Sequence, residues 1–338
     1  MKISDELNLL LRLMGPVYRE PAMPPVGEVE WESFIRLADR NKVLYYAVTR
    51  LLDNASAELD TAARTRLEGI RKHEEGQFLK LRKTMEALKT VLKDEPFLVS
   101  KTHRVFPYAT HDADVIVRNL KVAGELFVKG GFTRVPMANP VPLWYPREKG
   151  LLEIEVYTQI MPNPMVFVDD AFPWGGSRET EIEGVKVMLP GIEAEILTFL
   201  AEMGFRLFEI LLGDMVHLFT LADKADWQRI EFQVRKYGWH RVFRYQLSVL
   251  NGFHREIYGV PGPLEAIVPA VSRRKMIFPS ATPCPQAAAA LAGKGASNLI
   301  KMPAYLSVRL KKYPRLHRLY VDMFMKTLTP FVMKYLYH

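Results

Sequence analysis

Over residues 1 to 95 the apolar positions recur at steps of three and four, the spacing that gathers side chains on one face of a helix. MKISDELNLLLRLMGPVYRE predicts a short amphipathic helix, about Trp31 to Leu52 a second, and a longer helix begins near Leu59. In that long helix Leu67, Ile70, Phe78, Leu81, Met85, Leu88 and Leu92 form one stripe, predicted to be buried. The period stops at Lys93-Asp94-Glu95-Pro96, because proline cannot continue a helix, and FLVS then reads as a strand. DADVIV at 112 to 117 is a second strand, followed by a helix capped by Asn119 and closed by Gly130-Gly131, and by the short strand FTRV. VPLWYPR and LLEIEVY, separated by Glu148-Lys149-Gly150, predict an antiparallel hairpin with glycine in its turn. Turn-rich pieces lead to the strand VKVML at 185 to 189. Helical periodicity returns over 191–203, 205–221, 223–237 and 239–258, until Pro261 and Pro263 end it.

This pattern predicts an α+β protein: a small mixed or antiparallel sheet with flanking helices, preceded by a helical region and followed by a helical bundle. The expected divisions are 1–94 helical, 95–190 the α+β core, 191–260 the bundle, and 261–338 a Pro/Ala-rich connector with basic helices at about 300–312 and 316–337. A chain of 338 residues is long enough for more than one core. A hydrophobic fraction of 49% with 25% charged residues is ordinary for a globular protein and argues against disorder. No stretch reaches the roughly 18 uncharged apolar residues of a membrane span, since even FRLFEILLGDMVHLFTLA holds Arg206, Glu209 and Asp214. Cys284 is the only cysteine, so an intrachain disulfide and a multi-cysteine zinc cage are excluded, and a reducing, cytoplasmic setting is expected.

The chemistry centres on KTHRVFPYATHDADVIV. Asp112 and Asp114 are two apart at the start of a strand, so alternation puts both carboxylates on one face, about 6.5–7 Å apart. Hard divalent cations prefer carboxylate oxygen, and paired acids are how enzymes hold the metals that neutralise a transferring phosphoryl group. In LLEIEVY, Leu152, Ile154 and Val156 face one way while Glu153, Glu155 and Tyr157 face the other. If that strand lies beside the aspartate strand, Glu153 or Glu155 completes the metal site and could accept the proton of an attacking hydroxyl. Either glutamate could equally be the wet side of a hairpin.

The order of strand, acidic pair, helix, Gly-Phe, hairpin and third acid resembles the DNA-polymerase-beta-like nucleotidyltransferase superfamily. More closely, the chain resembles its uncharacterised nucleotidyltransferase-like family, in which a helical region follows the catalytic sheet. The resemblance covers roughly residues 95 to 260 and rests on FLVSKTHRVFPYATHDADVIV, VAGELFVKGGF, LLEIEVY and the helical stretch from PGIEAEIL to VRKYGW. It implies transfer of a nucleoside monophosphate from a triphosphate such as ATP to a hydroxyl of an unidentified acceptor, with magnesium or manganese. It also implies that Asp112 and Asp114 bind the metal and that the third acid is Glu155, with Glu153 as the other candidate. The family usually carries glycine in the turn after the first strand, where this chain has Ser100-Lys101-Thr102-His103-Arg104. Ser100, Lys101, Thr102 and Arg104 are therefore the expected triphosphate contacts, through hydroxyls, a point charge and a bidentate fork. The alternative reading is a catalytically degenerate module of the same fold that binds RNA or a protein partner.

Other motifs carry less. Asp214 and His217 could ligate a metal, but at a three-residue step in a helix they read as a local hydrogen bond beside a core. AGKGAS fails as a phosphate loop, because Ala288 and Gly295 stand where glycine and Ser or Thr are required. Trp227 and Trp239 read as core. The net charge of +8 is uneven: Ser272–His338 holds twelve Lys or Arg against Asp322 alone, and subtracting that +11 leaves −3 on the remainder. Interleaved with Tyr, Phe and Met, those cations suit a nucleic acid or an anionic membrane surface, or else the aromatics pack on the helical domain.

Overall fold

In the computed structural model the described residues are 4–15, 26–135, 142–158, 168–205, 210–237 and 239–269, all within the unit Met1–Met276. Most of the Pro/Ala-rich connector, the basic helices expected within 272–338, Cys284 and AGKGAS lie outside them. Helices α1 (Asp5–Met14), α2 (Trp31–Arg40), α3 (Leu44–Asn54) and α4 (Thr61–Val91) come first. Then follow β1 (Phe97–Ser100), β2 (Asp112–Val117), α5 (Leu120–Lys129), β3 (Phe132–Val135), β4 (Leu143–Pro146) and β5 (Glu153–Tyr157). The hairpin β6 (Arg178–Ile182) and β7 (Val185–Leu189) leads to α6 (Ile192–Phe205), α7 (Leu212–Ala222), α8 (Trp227–Lys236) and α9 (His240–Tyr258). None of the described helices is long and apolar enough to cross a membrane.

The α+β class and the mixed sheet are as the sequence predicts. Five strands run in the order β1-β2-β5-β4-β3, with β2 and β5 parallel and every other neighbour antiparallel. Asn119 caps α5 by accepting from the N–H groups of Lys121 and Val122, and Gly131 supplies the positive φ of 84° that turns the chain into β3. β6 has no counterpart in the sequence reading. Its residues RETEI are almost all polar, so only Ile182 signals burial, and its pairing with β7 depends on a two-residue turn with Glu183 and Gly184 both at positive φ.

The helix expected over Trp31–Leu52 is two. Its apolar period is unbroken, but Lys42 adopts φ 59° and the Asn41 side-chain amide donates to the Leu37 carbonyl at 2.8 Å, ending α2. A tertiary contact favours the break. The N-terminus of α7 has unsatisfied N–H groups, and Asn41 takes two of them: Leu212 N–H donates to its Oδ1 at 3.1 Å and Gly213 N–H to its carbonyl at 3.0 Å. The four helical segments expected after residue 190 are found, with α7 and α8 starting later than the periodicity indicates.

Each face of the sheet belongs to a different core. Ala113, Val115, Val117, Val99, Ile154 and Val156 pack with Leu81, Met85 and Leu88 of α4, with Phe127 of α5, and with the inner side of β6–β7. Leu98, Ile116 and Tyr157 join the other core, which unites α1–α3 with α6–α9. The expected boundaries at 94/95 and 190/191 thus separate elements but not cores, because the N-terminal helices close on the C-terminal bundle. Of the predicted α4 stripe, Leu67, Leu81, Met85, Leu88 and Leu92 are buried, while Ile70 and Phe78 are half-buried.

A Cβ placed on Gly213 would stand 2.9 Å from the Asn41 carbonyl oxygen and 3.0 Å from that of Lys42. Gly→Ala in a helix ordinarily stabilises by up to about 1 kcal/mol. Here Gly213→Ala is expected to destabilise by about 1–3 kcal/mol in urea unfolding, because backbone must shift; a stabilised variant would refute this docking.

Candidate functional site

The parallel register pairs Asp112 with Glu153 and Asp114 with Glu155. Directly paired residues of neighbouring strands project to the same side, so four carboxylates stand on one face of the sheet, in two cross-strand rows whose members sit on strands about 4.8 Å apart. It is the face turned toward α6 and α7. Their partners are varied. Among the described residues, no three His, Cys, Asp or Glu side chains stand together as a metal-ligand group. The Thr110 hydroxyl donates to the Asp112 carboxylate at 3.1 Å, Tyr157 donates to Glu155, and Glu153 bonds the hydroxyl of exposed Tyr145.

Lys101 holds the centre. Its ammonium lies 2.6 Å from Asp114, 2.9 Å from Glu202 of α6, and donates to the Tyr157 hydroxyl at 3.1 Å. Burial opposes the charge on Lys101, but Asp114, Glu202 and Tyr157 outweigh it and hold the ammonium protonated well beyond the usual lysine range. One ammonium can balance only one of its two carboxylates. The surplus falls on the more buried: burial pushes Asp114 up to about 7, nearby Asp112 adds to the shift and Lys101 opposes it. Burial likewise raises Tyr157, which therefore keeps its proton and passes the Lys101 hydrogen bond on to Glu155.

The turn after β1 has the backbone of a glycine without being one. Lys101 adopts φ 55°, and Thr102 N–H closes the turn on the Ser100 carbonyl at 2.5 Å. A non-glycine residue in this conformation costs about 1–2 kcal/mol. Ser100 is buried opposite Asp114 in the β1–β2 ladder.

Two of the expected triphosphate contacts are engaged elsewhere. The Thr102 hydroxyl accepts from Asp114 N–H at 3.0 Å and donates to the Ser100 carbonyl, so it fixes the aspartate's backbone instead of facing a ligand. Arg104 is turned into the bundle, with a side chain only 1% exposed, paired to Asp214 of α7 at 2.8 Å and lying 4.2 Å over the Phe199 ring. Its permanent charge, once buried, must have a carboxylate, and Asp214 is the one at hand. Asp214 and His217 are therefore not a local pair. His217 Nδ1 accepts from Val105 N–H at 3.1 Å, which leaves the proton on Nε2 to donate to Glu195 at 2.8 Å. Trp227 and Trp239 pack in the core, as expected.

Glu202 was not singled out in the sequence, although a signal exists. Glu195 and Glu202 are seven residues apart, two turns on one face of a largely apolar helix, and an acid on the packed side of such a helix has to be paired. Both are: Glu202 with Lys101, and Glu195 with His217 and with Arg178. No model of a known protein family matches this chain, and no curated protein sequence matches it either.

The Glu195–His217 pair ties the loop after β1 to α6 and α7, and its titration is testable. Burial lowers His217 below its ordinary value of 6.5, so its share of stability is complete above that pH and is lost as pH falls beneath it. Burial opposes the charge on Glu195, but the His217 and Arg178 contacts dominate and hold it at about 2, so its share is lost from pH 4.5 toward 2. Urea unfolding is expected to show stability falling across both ranges. Glu195→Gln should start lower at pH 7 and lose less than the wild type between pH 4.5 and 3; an equally steep loss would refute the pairing.

Proposed function

We propose that this chain is a nucleotidyltransferase of the DNA-polymerase-beta-like type, using the acidic face of β2 and β5 to hold a divalent cation and a nucleoside triphosphate. One observation carries the reading: the parallel register that sets Asp112 and Asp114 beside Glu153 and Glu155 on one sheet face. The donor set suits magnesium or manganese, since all the oxygens are hard and the cluster has more negative charge than Lys101 balances. Asp112, Asp114 and Glu155 would hold the ion, Glu155 being directly across from Asp114 and joined to it through Tyr157 and Lys101. When bound, the ion supplies charge neutralisation on the phosphate oxygens.

The chain's own groups supply the rest. An acceptor hydroxyl attacks the α-phosphorus, its bond to the bridging oxygen breaks, and pyrophosphate leaves. The hydroxyl proton passes to a carboxylate of the same face, for which Glu153, on the more open row, is placed. Lys101 is the cation nearest the acids and would orient the triphosphate. Arg104, being buried, has no part in this. The unidentified acceptor is an RNA or a protein, and the basic residues within 272–338 suit a nucleic acid.

A second reading has its own observation. The Lys101 ammonium stands beside Asp114 where a metal would be needed, and a chain in which it never leaves would be a binding module without catalysis. Incubation with labelled nucleoside triphosphates, magnesium, and total RNA and protein separates the two. Label transfer by the wild type, reduced at least about a hundredfold in Asp112→Ala and in Asp114→Asn, is the expected result. Absence of magnesium-dependent nucleotide binding by the wild type would overturn the enzymatic reading in favour of the module.

A further inference from the structure

Lys101 combines three features that a surface lysine lacks. Its backbone is strained at φ 55°, its side chain is only 19% exposed, and its ammonium touches two carboxylates from different elements, Asp114 on β2 and Glu202 on α6. Strained residues persist where the surroundings over-determine them, and they gather at ligand clamps and switches. Here the over-determination is electrostatic. Without a cation between them, Asp114 and Glu202 would leave two acids together in a half-dry site, and a largely buried charge stripped of its partner is strongly disfavoured.

A second cation that takes the same Asp114 oxygen competes with an ammonium already 2.6 Å from that oxygen, and two positive charges on one oxygen with so little water between them repel strongly. The ammonium must leave. A released lysine on this short turn remains next to the acids, and a triphosphate is the anion that can take it. Tyr157 provides the return position, since its hydroxyl accepts from Lys101 while donating to Glu155.

We propose that Lys101 is the resident counter-ion of the acidic face: a divalent cation displaces it from Asp114 and Glu202, and the freed ammonium moves to the phosphates of the incoming nucleotide. This deepens the nucleotidyltransferase reading and rests on it. Cation and triphosphate then favour each other's binding beyond their direct contact, and by linkage the favour is equal in both directions. Glu202 is the positioning residue of the exchange, holding the ammonium in the ligand-free state.

The test uses the wild-type chain of 338 residues. Manganese binding is measured by electron paramagnetic resonance, and the acetylation rate of Lys101 by N-hydroxysuccinimidyl acetate is followed by mass spectrometry. Lys101 is expected to react slowly alone, at least about tenfold faster with saturating manganese, and slowly again when a non-hydrolysable ATP analogue is added with the metal. In Glu202→Gln, which loosens one anchor, the metal-free rate should rise. Manganese that binds without changing the Lys101 rate overturns the exchange while leaving the nucleotidyltransferase reading in place. No manganese binding, with or without nucleotide, overturns both.

Discussion

Four carboxylates on one face of two adjacent strands cannot all be charged and dry, and that constraint shapes everything around β2 and β5. The parallel register makes the crowding unavoidable: Asp112 and Glu153 form one row, Asp114 and Glu155 the next. Each acid then needs a partner that lowers its cost. Thr110 gives Asp112 a hydroxyl, Tyr145 gives Glu153 another, and Tyr157 donates to Glu155. Among the described residues, only Asp114, the most buried of the four, receives a full positive charge. Hydroxyls lower the cost by about 1 kcal/mol each, whereas an unpaired buried carboxylate costs several.

The same economy of charge extends into the helical bundle. α6 and α7 bury Glu195, Asp214 and His217 and half-bury Glu202, and every one of these meets a group from the segment after β1 or from β6: His217 meets Val105 N–H, Asp214 meets Arg104, Glu202 meets Lys101, and Glu195 meets Arg178. The loop between β1 and β2 is therefore held by ion pairs and hydrogen bonds as much as by apolar packing. Its position determines where Asp112 and Asp114 start, since Thr102 fixes the backbone of Asp114. Bundle and sheet are coupled through this loop.

Strand alternation was enough to read the acidic face from the sequence, because period two is a local property and DADVIV and EIEVY each show it without help from neighbours. The pairing of those strands was not local. Nothing in either segment states that they run parallel and adjacent; the hairpin β4–β5 is local, but the β2–β5 pairing closes a loop of some thirty-five residues containing a helix and two strands. The break at Asn41 was invisible for a related reason: its cause is the α7 N-terminus, more than 150 residues away. Arg104 misled because the same residue type suits a phosphate and a buried aspartate, and only the fold supplies Asp214.

At Lys101 the departure from glycine changes the chemistry of the turn more than its backbone. Glycine would adopt φ 55° without strain, and its backbone N–H groups could approach a phosphate. Lysine in the same conformation costs about 1–2 kcal/mol, which its ion pairs to Asp114 and Glu202 must offset. The turn keeps a φ that glycine adopts freely and adds a charge to it. That charge makes the site self-neutralising when empty of ligand, but it also means that a metal gains less by binding here than at an open pair of carboxylates. Under the proposed exchange, affinity for the bare ion is the quantity lost and dependence on the triphosphate the quantity gained: an ammonium that must be rehoused is best rehoused on phosphate. A glycine turn would leave the two ligands independent, whereas the proposed exchange at a lysine turn ties them together.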